Sequence, residues 1–402
     1  MSLPGNNSRD AGDGPAGTTR GSDLSPSEAA KKAFERETID FETSSVDAAP
    51  DSYPTAIGRF QIERELGHGG LGIVLLAKDL ELGRHVAIKI PRRTLLPDSP
   101  LQRRFLREGR AAARLNHPHL VPLYEVGCHG GLCYLVSELC VGPTLAEWLQ
   151  SRKDLLPPHQ AATLLRQLAT AVHHAHSRGV LHRDIKPSNV LLTCPDSDCA
   201  AFDWQRAENI RIELSRGTIS ESIDVSELCA KLTDFGMAKL SDSDDETLAG
   251  TIIGTPAYMA PEQADGRIDE VDARTDVYAL GAVLYELLTG VAPHRGTSEV
   301  DTLRHLLLNE PTEPRTLRRT VPPDLEAICL KCLARSPDAR YPTAQLLAED
   351  LGRFLQGDPT KVRTLGLGGW LRRLVHRRPT DAAVTLWPVA SLAILSPAIA
   401  RL

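Results

Sequence analysis

The stretch LHRDIKPSNVLL, Leu181 to Leu192, sets His182, Arg183, Asp184, Lys186 and Asn189 within eight residues between two apolar runs. So many polar groups on so short a loop require a fold that holds the loop still. Asp234, in KLTDFGMAKL (Lys231 to Leu240), stands 45 residues beyond Asn189. A second chemical feature lies earlier. LGHGGLGIV places Gly67, Gly69 and Gly72 in the spacing G-x-G-x-x-G-x-V. Strands flank these glycines on both sides, which argues against a dinucleotide-binding turn, where a helix follows at once. Between two strands, the same glycines let a hairpin close over phosphates with backbone N–H groups near the oxygens. VAIK follows. Alternation puts Ala87 and Lys89 on one strand face and Val86 and Ile88 on the other. A lysine on an inward face is costly unless paired, and Glu108, on the next helix, is its expected partner.

The elements that must position these groups can be read from patterning. FQIERELG, GIVLLAKD and RHVAIKI are short strand-like runs around the glycine-rich turn. LQRRFLREGRAAARL reads as a helix with Phe105, Leu106 and Leu115 on its buried side. LCYLVSEL is strand-like again. From Thr144 onward helices dominate, in TLAEWLQSR, PHQAATLLRQLATAVHHAHSRG, RTDVYALGAVLYELLTG and PPDLEAICLKCLAR. Strands first and helices later indicate an α+β fold. A small N-terminal β-sheet lobe with one main helix precedes a larger, mostly helical C-terminal lobe.

Composition narrows the classes. Of 402 residues, 42% are apolar and 24% charged, which is ordinary for a globular chain. A net charge of -6 gives no reason to expect a nucleic-acid partner, which usually shows as a basic face. Eight scattered cysteines form no dense disulfide framework, and the default compartment is a reducing cytosol. Cys329 and Cys332 fall at helical spacing among apolar residues, which suits buried packing better than a metal pair. Cys194 and Cys199 make a weak zinc case without a second pair.

The termini differ from the centre. Residues 1 to about 55 are poor in large apolar side chains and are expected to be disordered. A short helix in SPSEAAKKAFERE would be capped by Ser25, with Glu28 completing a capping box. MSLPGNNSRDAGDGPAGTTRGSD has no apolar core region, so a secretory signal is not expected there. Residues 357–381 form a basic linker containing WLRRLVHRRP, and residues 382–400 carry no charge. Nineteen residues as helix span about 28 Å against a hydrocarbon core of ~30 Å. A membrane anchor would leave the preceding domain in the cytoplasm, at the inner membrane. Pro388 and Pro397 interrupt the segment, and an apolar tail packed elsewhere is the alternative.

Taken in order and spacing, G-x-G-x-x-G, VAIK, HRDIKPSN, DFG and APE (Ala260 to Glu262) resemble the eukaryotic-like (Hanks-type) serine/threonine protein kinases, including those of bacteria. The resemblance covers about Phe60 to Leu355. It implies a two-lobed protein kinase fold, with an N-lobe at about 56–138 and a C-lobe at about 143–356. It also implies ATP- and magnesium-dependent transfer of a phosphoryl group to serine and threonine hydroxyls of proteins, in signal transduction, with autophosphorylation between copies. Manganese is an alternative ion. By this resemblance Gly67, Gly69 and Gly72 cover the phosphates, with Leu66 and Val74 beside the nucleotide. Ala87 packs on adenine, and Glu138 to Cys140 form the hinge whose backbone binds it. Ser137, at the gatekeeper position, leaves the space behind more open. Lys89 holds the α and β phosphates and is held by Glu108. Asp184 is the catalytic base, or orients the hydroxyl. Lys186 neutralises the transferring phosphoryl, and Asn189 and Asp234 bind the metal. Such a reaction depends on positioning and charge neutralisation, which explains the dense polar loop. His182 and Phe235 are packing residues. Thr255 bridges Asp184 and Lys186, Glu262 pairs with Arg340, and Asp276 braces the catalytic loop. Arg183 contributes to a basic pocket for a phosphate on Thr247 or Thr251. The acidic run DSDDE is an alternative source of that negative charge.

One departure stands out. The spacing of 45 residues between Asn189 and Asp234 is far longer than in that family. The extra residues, about 194–229, fall where a short hairpin would join two strands. The insertion is acidic, and NIRIEL within it alternates as a strand does. It is either a tolerated surface excursion or a docking or regulatory element.

Overall fold

The computed structural model describes residues 53–69, 72–91, 99–152, 154–193, 228–235 and 256–362. The expected N-terminal disorder and helix, residues 194–227, Thr247, Thr251, Thr255 and the stretch 382–400 lie outside the described residues. Among the described residues, no helix is long and apolar enough to cross a membrane.

The first half is a six-stranded antiparallel sheet ordered β1-β2-β3-β4-β6-β5. Its strands are β1 (Ala56–Ile57), β2 (Phe60–Gly69), β3 (Gly72–Asp79), β4 (Arg84–Pro91), β5 (Leu123–His129) and β6 (Leu132–Glu138). Burial in β4 alternates along the strand. Val86, Ile88 and Ile90 join a core with Phe60 and Leu75, while Ala87 and Lys89 face the other way. β2 and β3 meet at Gly69 and Gly72. Gly72 is required there: its φ is 146°, and a Cβ would sit 2.0 Å from the Ile90 carbonyl oxygen. β1 and β5 have no counterpart in the sequence patterning.

Helix α1 (Pro100–Ala112) crosses between β4 and β5 in the chain. Ser99 caps it by accepting from Gln102 N, and Pro100 fits the first turn. Phe105, Gly109 and Ala112 form its buried face. The helix ends before Leu115, which was expected on it. Leu115 is buried in the core of the other half instead.

That second half is mostly helical. α2 (Leu145–Ser151) begins with a capping box between Thr144 and Glu147. α3 (Pro158–His176) and α5 (Ala273–Thr289) form the centre, with α4 (Pro261–Ala264) between them in the chain. α5 is buried nearly all round, as a core helix must be. Asp272 caps its start, and Gly290, at φ 79°, ends it. α6 (Glu299–Leu308), α7 (Pro314–Leu317), α8 (Pro323–Cys332) and α9 (Ala344–Gln356) complete the lobe. Cys329 and Cys332 are fully buried on α8 against this core.

A two-stranded ribbon, β7 (Val190–Thr193) and β8 (Cys229–Leu232), lies at the junction. Its register runs from Val190 opposite Leu232 to Thr193 opposite Cys229. The insertion therefore leaves and re-enters the fold at one cross-strand pair. Cys229 belongs to β8 and Leu228 to the core, so the excursion ends earlier than the sequence boundary at 229.

Candidate active site

The polar loop hangs between α3 and β7. Its backbone is held from below by one buried carboxylate on the first turn of α5. Asp276 Oδ2 accepts from His182 N at 2.9 Å, and Oδ1 accepts from Arg183 N at 2.7 Å. His176 Nε2, at the end of α3, donates to the same carboxylate at 2.7 Å. Burial alone would raise the Asp276 carboxyl. The hydrogen bonds from His176 and from the His182 amide outweigh this and hold it below the usual carboxylate range.

His182 is fully buried and bonded at both ring nitrogens. Nε2–H donates to Thr233 O at 2.8 Å, so Nδ1 accepts from Asp184 N at 3.2 Å. Phe235 packs edge-on against the ring at 4.6 Å. The loop preceding Asp184 and the segment containing Asp234 are thus tied together despite the insertion between them. Among the described residues, only two non-glycines have positive φ: Arg183 at 68° and Asp234 at 70°. Such backbone costs on the order of 1–3 kcal/mol per residue and persists where its surroundings over-determine it.

Around Asp184 the side chains converge. Asn189 Nδ2 donates to Asp184 O at 2.7 Å and to Asp184 Oδ2 at 3.1 Å. Lys186 Nζ lies 2.8 Å from the same Oδ2. The Asn189 carbonyl accepts from Thr233 N at 3.0 Å, one residue before Asp234.

Above, Lys89 descends from β4 to Asp234, with Nζ 2.8 Å from Oδ1. Burial would raise the Asp234 carboxyl, but the Lys89 ammonium holds it below the usual range. Here structure and sequence differ. Patterning and resemblance both pair Lys89 with Glu108, whereas Glu108 Oε1 lies 3.3 Å from Arg107 Nη2. Sequence spacing determines which way a side chain faces. It does not determine how far α1 stands from β4, which is a matter of packing.

The remaining expected residues divide into three groups. Leu66, Gly67, Gly69, Gly72, Val74 and Ala87 sit on β2 to β4, as the hairpin and the strand beside it require. Ser137, next to the last residue of β6, helps line a cavity of about 50 Å³ with Lys89, Leu123, Asp234 and Phe235. Glu138 and Cys140 follow, and Glu138 Oε1 accepts from Lys231 Nζ of β8 at 2.7 Å. The Glu138 carboxylate thus fastens the connection between lobes to the lower lobe. In that lobe Glu262 and Arg340 form a bidentate pair at 2.7 and 2.8 Å, both side chains fully buried. Thr275 Oγ1 donates to Glu262 as well.

Three contacts escaped sequence reasoning. His176 is one of several histidines at the end of a helix, and nothing local marks it. Gln263 Nε2 donates to the Arg183 carbonyl at 3.0 Å and ties the segment after APE to the loop. Cys128 and Cys133 form a disulfide, where no pairing was expected. The two glycines between them were the available signal. Among the described residues, no group of three or more His, Cys, Asp or Glu is arranged to hold a metal.

The comparisons with known proteins fit this geometry. The protein kinase domain family matches residues 60–351. This chain belongs to the protein kinase family. Its kinase domain is 35% identical over 314 residues to the serine/threonine-protein kinase PknB of Mycobacterium leprae, covering 77% of this chain and 45% of that protein. It is 36% identical over 302 residues to the serine/threonine-protein kinase PrkC of Bacillus subtilis, covering 75% and 41%. The chain therefore spans less than half the length of these relatives. Among solved structures, the PknI kinase domain of Mycobacterium tuberculosis superposes with a TM-score of 0.55 at 24% identity, covering 74% of this chain and 97% of that one. The last comparison speaks to the fold alone.

Proposed function

We propose that this chain transfers the γ-phosphoryl group of ATP to serine and threonine hydroxyls of protein substrates, as a signalling kinase. The observation that carries this reading is the convergence of Asp184, Lys186 and Asn189 beside the Lys89–Asp234 pair. In it, the substrate hydroxyl meets Asp184, which orients it and takes its proton. Lys186 neutralises charge on the phosphoryl group in flight. Lys89 holds the α and β phosphates, and the backbone of the Gly67–Gly72 hairpin covers them. Leu66, Val74 and Ala87 flank the adenine, and the backbone of Glu138 to Cys140 binds its edge.

The donor set also suits a magnesium ion, or manganese. Asn189 spends its Nδ2 on Asp184, which leaves Oδ1 as an acceptor, and Asp234 supplies a carboxylate. Both are hard oxygen donors of the kind these ions take. Asn189 and Asp234 would hold the ion, which supplies charge neutralisation at the phosphate oxygens.

Two elaborations belong to the same reading. Arg183 precedes Asp184 and serves a phosphate placed on Thr247 or Thr251 by a second copy of the chain, while Thr255 bridges Asp184 and Lys186. The apolar stretch 382–400, behind its basic linker, anchors the kinase domain on the cytoplasmic face of a membrane.

The test is incubation with labelled ATP and magnesium, beside Asp184→Asn, followed by phosphosite mapping. Label on serine and threonine in the parent alone supports the reading. Nucleotide binding without transfer would make the chain a scaffold instead.

A further inference from the structure

The β5–β6 hairpin carries a group that phosphate transfer does not use. Cys128 and Cys133 face each other across the two strands and are joined by a disulfide. Gly130 and Gly131, at φ 58° and 82°, make the tight turn between them. Two successive positive φ values define the hairpin turn whose twist matches that of the strands. The turn sets His129 opposite Leu132, and so Cys128 opposite Cys133, with Cα atoms 4.0 Å apart. Backbone pairing alone thus brings the two sulfur atoms together. The bond closes a very short loop whose ends the hairpin already joins. It restrains little of the unfolded chain and is poorly placed to act as a global staple. It is well placed to open and close, because the strands keep both thiols within reach.

Its two ends have different surroundings. Cys128 is exposed, whereas Cys133 is 3% exposed and packs with Phe105 and Leu135. Phe105 belongs to α1. Gln102, on the first turn of the same helix, places Nε2 3.5 Å from both sulfur atoms. One sulfur is open to a small oxidant, and the other lies under the helix that carries Glu108. When the bond opens, the sulfur atoms separate to non-bonded contact. Cys133 Sγ then presses on the side chains of Phe105 and Gln102, because a packed interior does not absorb such a change without a shift.

We infer that Cys128 and Cys133 are a peroxide-responsive dithiol that sets the seat of α1 and through it the rate of phosphate transfer, with the bonded state the slower one. The direction comes from the bonded structure, in which Lys89 rests on Asp234 and Glu108 on Arg107. The rate effect rests on the kinase reading above. Hydrogen peroxide is the oxidant. The Cys128 sulfur attacks one peroxide oxygen, the O–O bond breaks, and a sulfenic acid and one water result. The Cys133 sulfur then attacks Cys128 Sγ, loses its proton, and expels a second water as the S–S bond forms. Two electrons pass from the two thiols to the peroxide. A dithiol reductant reverses the step by exchange and is itself oxidised to a disulfide.

The full chain, treated with dithiothreitol or with hydrogen peroxide, is followed in three ways. Peptide mass reports the Cys128–Cys133 bond, hydrogen exchange reports residues 100–112, and labelled ATP reports transfer. The expected result is a bond that forms and opens, exchange in α1 that changes with it, and transfer that falls several-fold on oxidation. Cys128→Ser, at an exposed position, should keep the reduced rate and lose both responses. A bond that does not respond, or that responds without a change in α1, overturns the inference. So does a peroxide effect that persists in Cys128→Ser, since it would then lie with another cysteine of the chain. No transfer in either redox state, with α1 exchange still following the bond, would sink the kinase reading while supporting the link between bond and helix.

Discussion

The lower and upper walls of the site are built on different principles. Below, Asp276 alone accepts from two loop amides and from His176, and His182 ties that loop to Thr233. Asp276 is buried on a helix that is itself buried nearly all round. Above, α1 buries only Phe105, Gly109 and Ala112, and Lys89 has reached down to Asp234. The floor is over-determined and holds strained backbone at Arg183 and Asp234. The upper wall rests on fewer contacts, and its ion pairs can exchange partners. A floor change should therefore strand a buried charge or halt the chemistry. A change in the upper wall should shift a distance.

The largest effect is expected on the floor. Asp184→Asn keeps the shape and the Asn189 backbone bond but removes the base. Transfer should fall by roughly 10²- to 10⁴-fold, the usual range for a positioned acid or base. Nucleotide affinity, measured by calorimetry, should stay near that of the parent. Transfer at the parental rate would remove Asp184 from the chemistry.

Asp276 tests the floor as structure. Asp276→Ala leaves His176 and two loop amides without their acceptor, a loss of about 3–5 kcal/mol where a buried pair is broken. Denaturant unfolding measures it. The folded carboxyl lies below its unfolded value. Its stabilisation is therefore present above about pH 3.9 and disappears as pH falls through the lower folded value. The variant should accordingly show a shallower acid limb in stability against pH. A loss below about 1 kcal/mol would mean that the floor is held elsewhere.

The same contrast separates what the sequence reveals from what it hides. Alternation in RHVAIKI predicts the strand and the face of Lys89, because period two is a local property. The Thr144–Glu147 capping box and the Gly290 stop are local too. β5 was missed because its burial does not alternate cleanly: Glu125 and Gly127 are half-buried, as is Val126. Candidate catalytic residues were legible because they cluster in short motifs. Their supports were less so. His176 and Asp276 are 100 residues apart, and Gln263 and Arg183 are 80 apart. Contacts of that range depend on helix packing, which no short pattern records. The partner of Lys89 was misread for the same reason.

The upper wall gives smaller and graded effects. Lys89→Met removes the ammonium that positions phosphates and should slow transfer strongly. Glu108→Gln should slow it less, because Glu108 acts only once α1 has closed towards β4. Steady-state rates with ATP varied measure both. Equal losses would mean that the pair is already rigid, and the contrast with the floor would fail. No loss in either would move phosphate binding away from Lys89.

The smallest effect is expected from the largest change. Residues 194–227 leave after Thr193 and return before Leu228, and Thr193 pairs directly with Cys229. Leu228 is buried in the core and has to be kept. The outer edge of β8 is already satisfied, since Gln167 Oε1 accepts from Ala230 N at 3.1 Å and Gln167 Nε2 donates to Leu228 O at 3.5 Å. Replacing residues 194–227 with a short Asn-Gly turn should therefore leave the ribbon closed, because such a turn suits a two-stranded hairpin. Asn189 and Asp234 lie together beyond the Val190–Leu232 end of that ribbon, away from the insertion, and His182 holds Thr233 independently of the insertion. Basal transfer should be unchanged, and stability should shift by no more than roughly 1 kcal/mol, as for other surface loop changes. An insoluble or inactive product would show that the excursion packs on the catalytic lobe and belongs to the floor. Unchanged chemistry with altered choice of protein substrate would instead make it a docking element attached to a floor that does not need it.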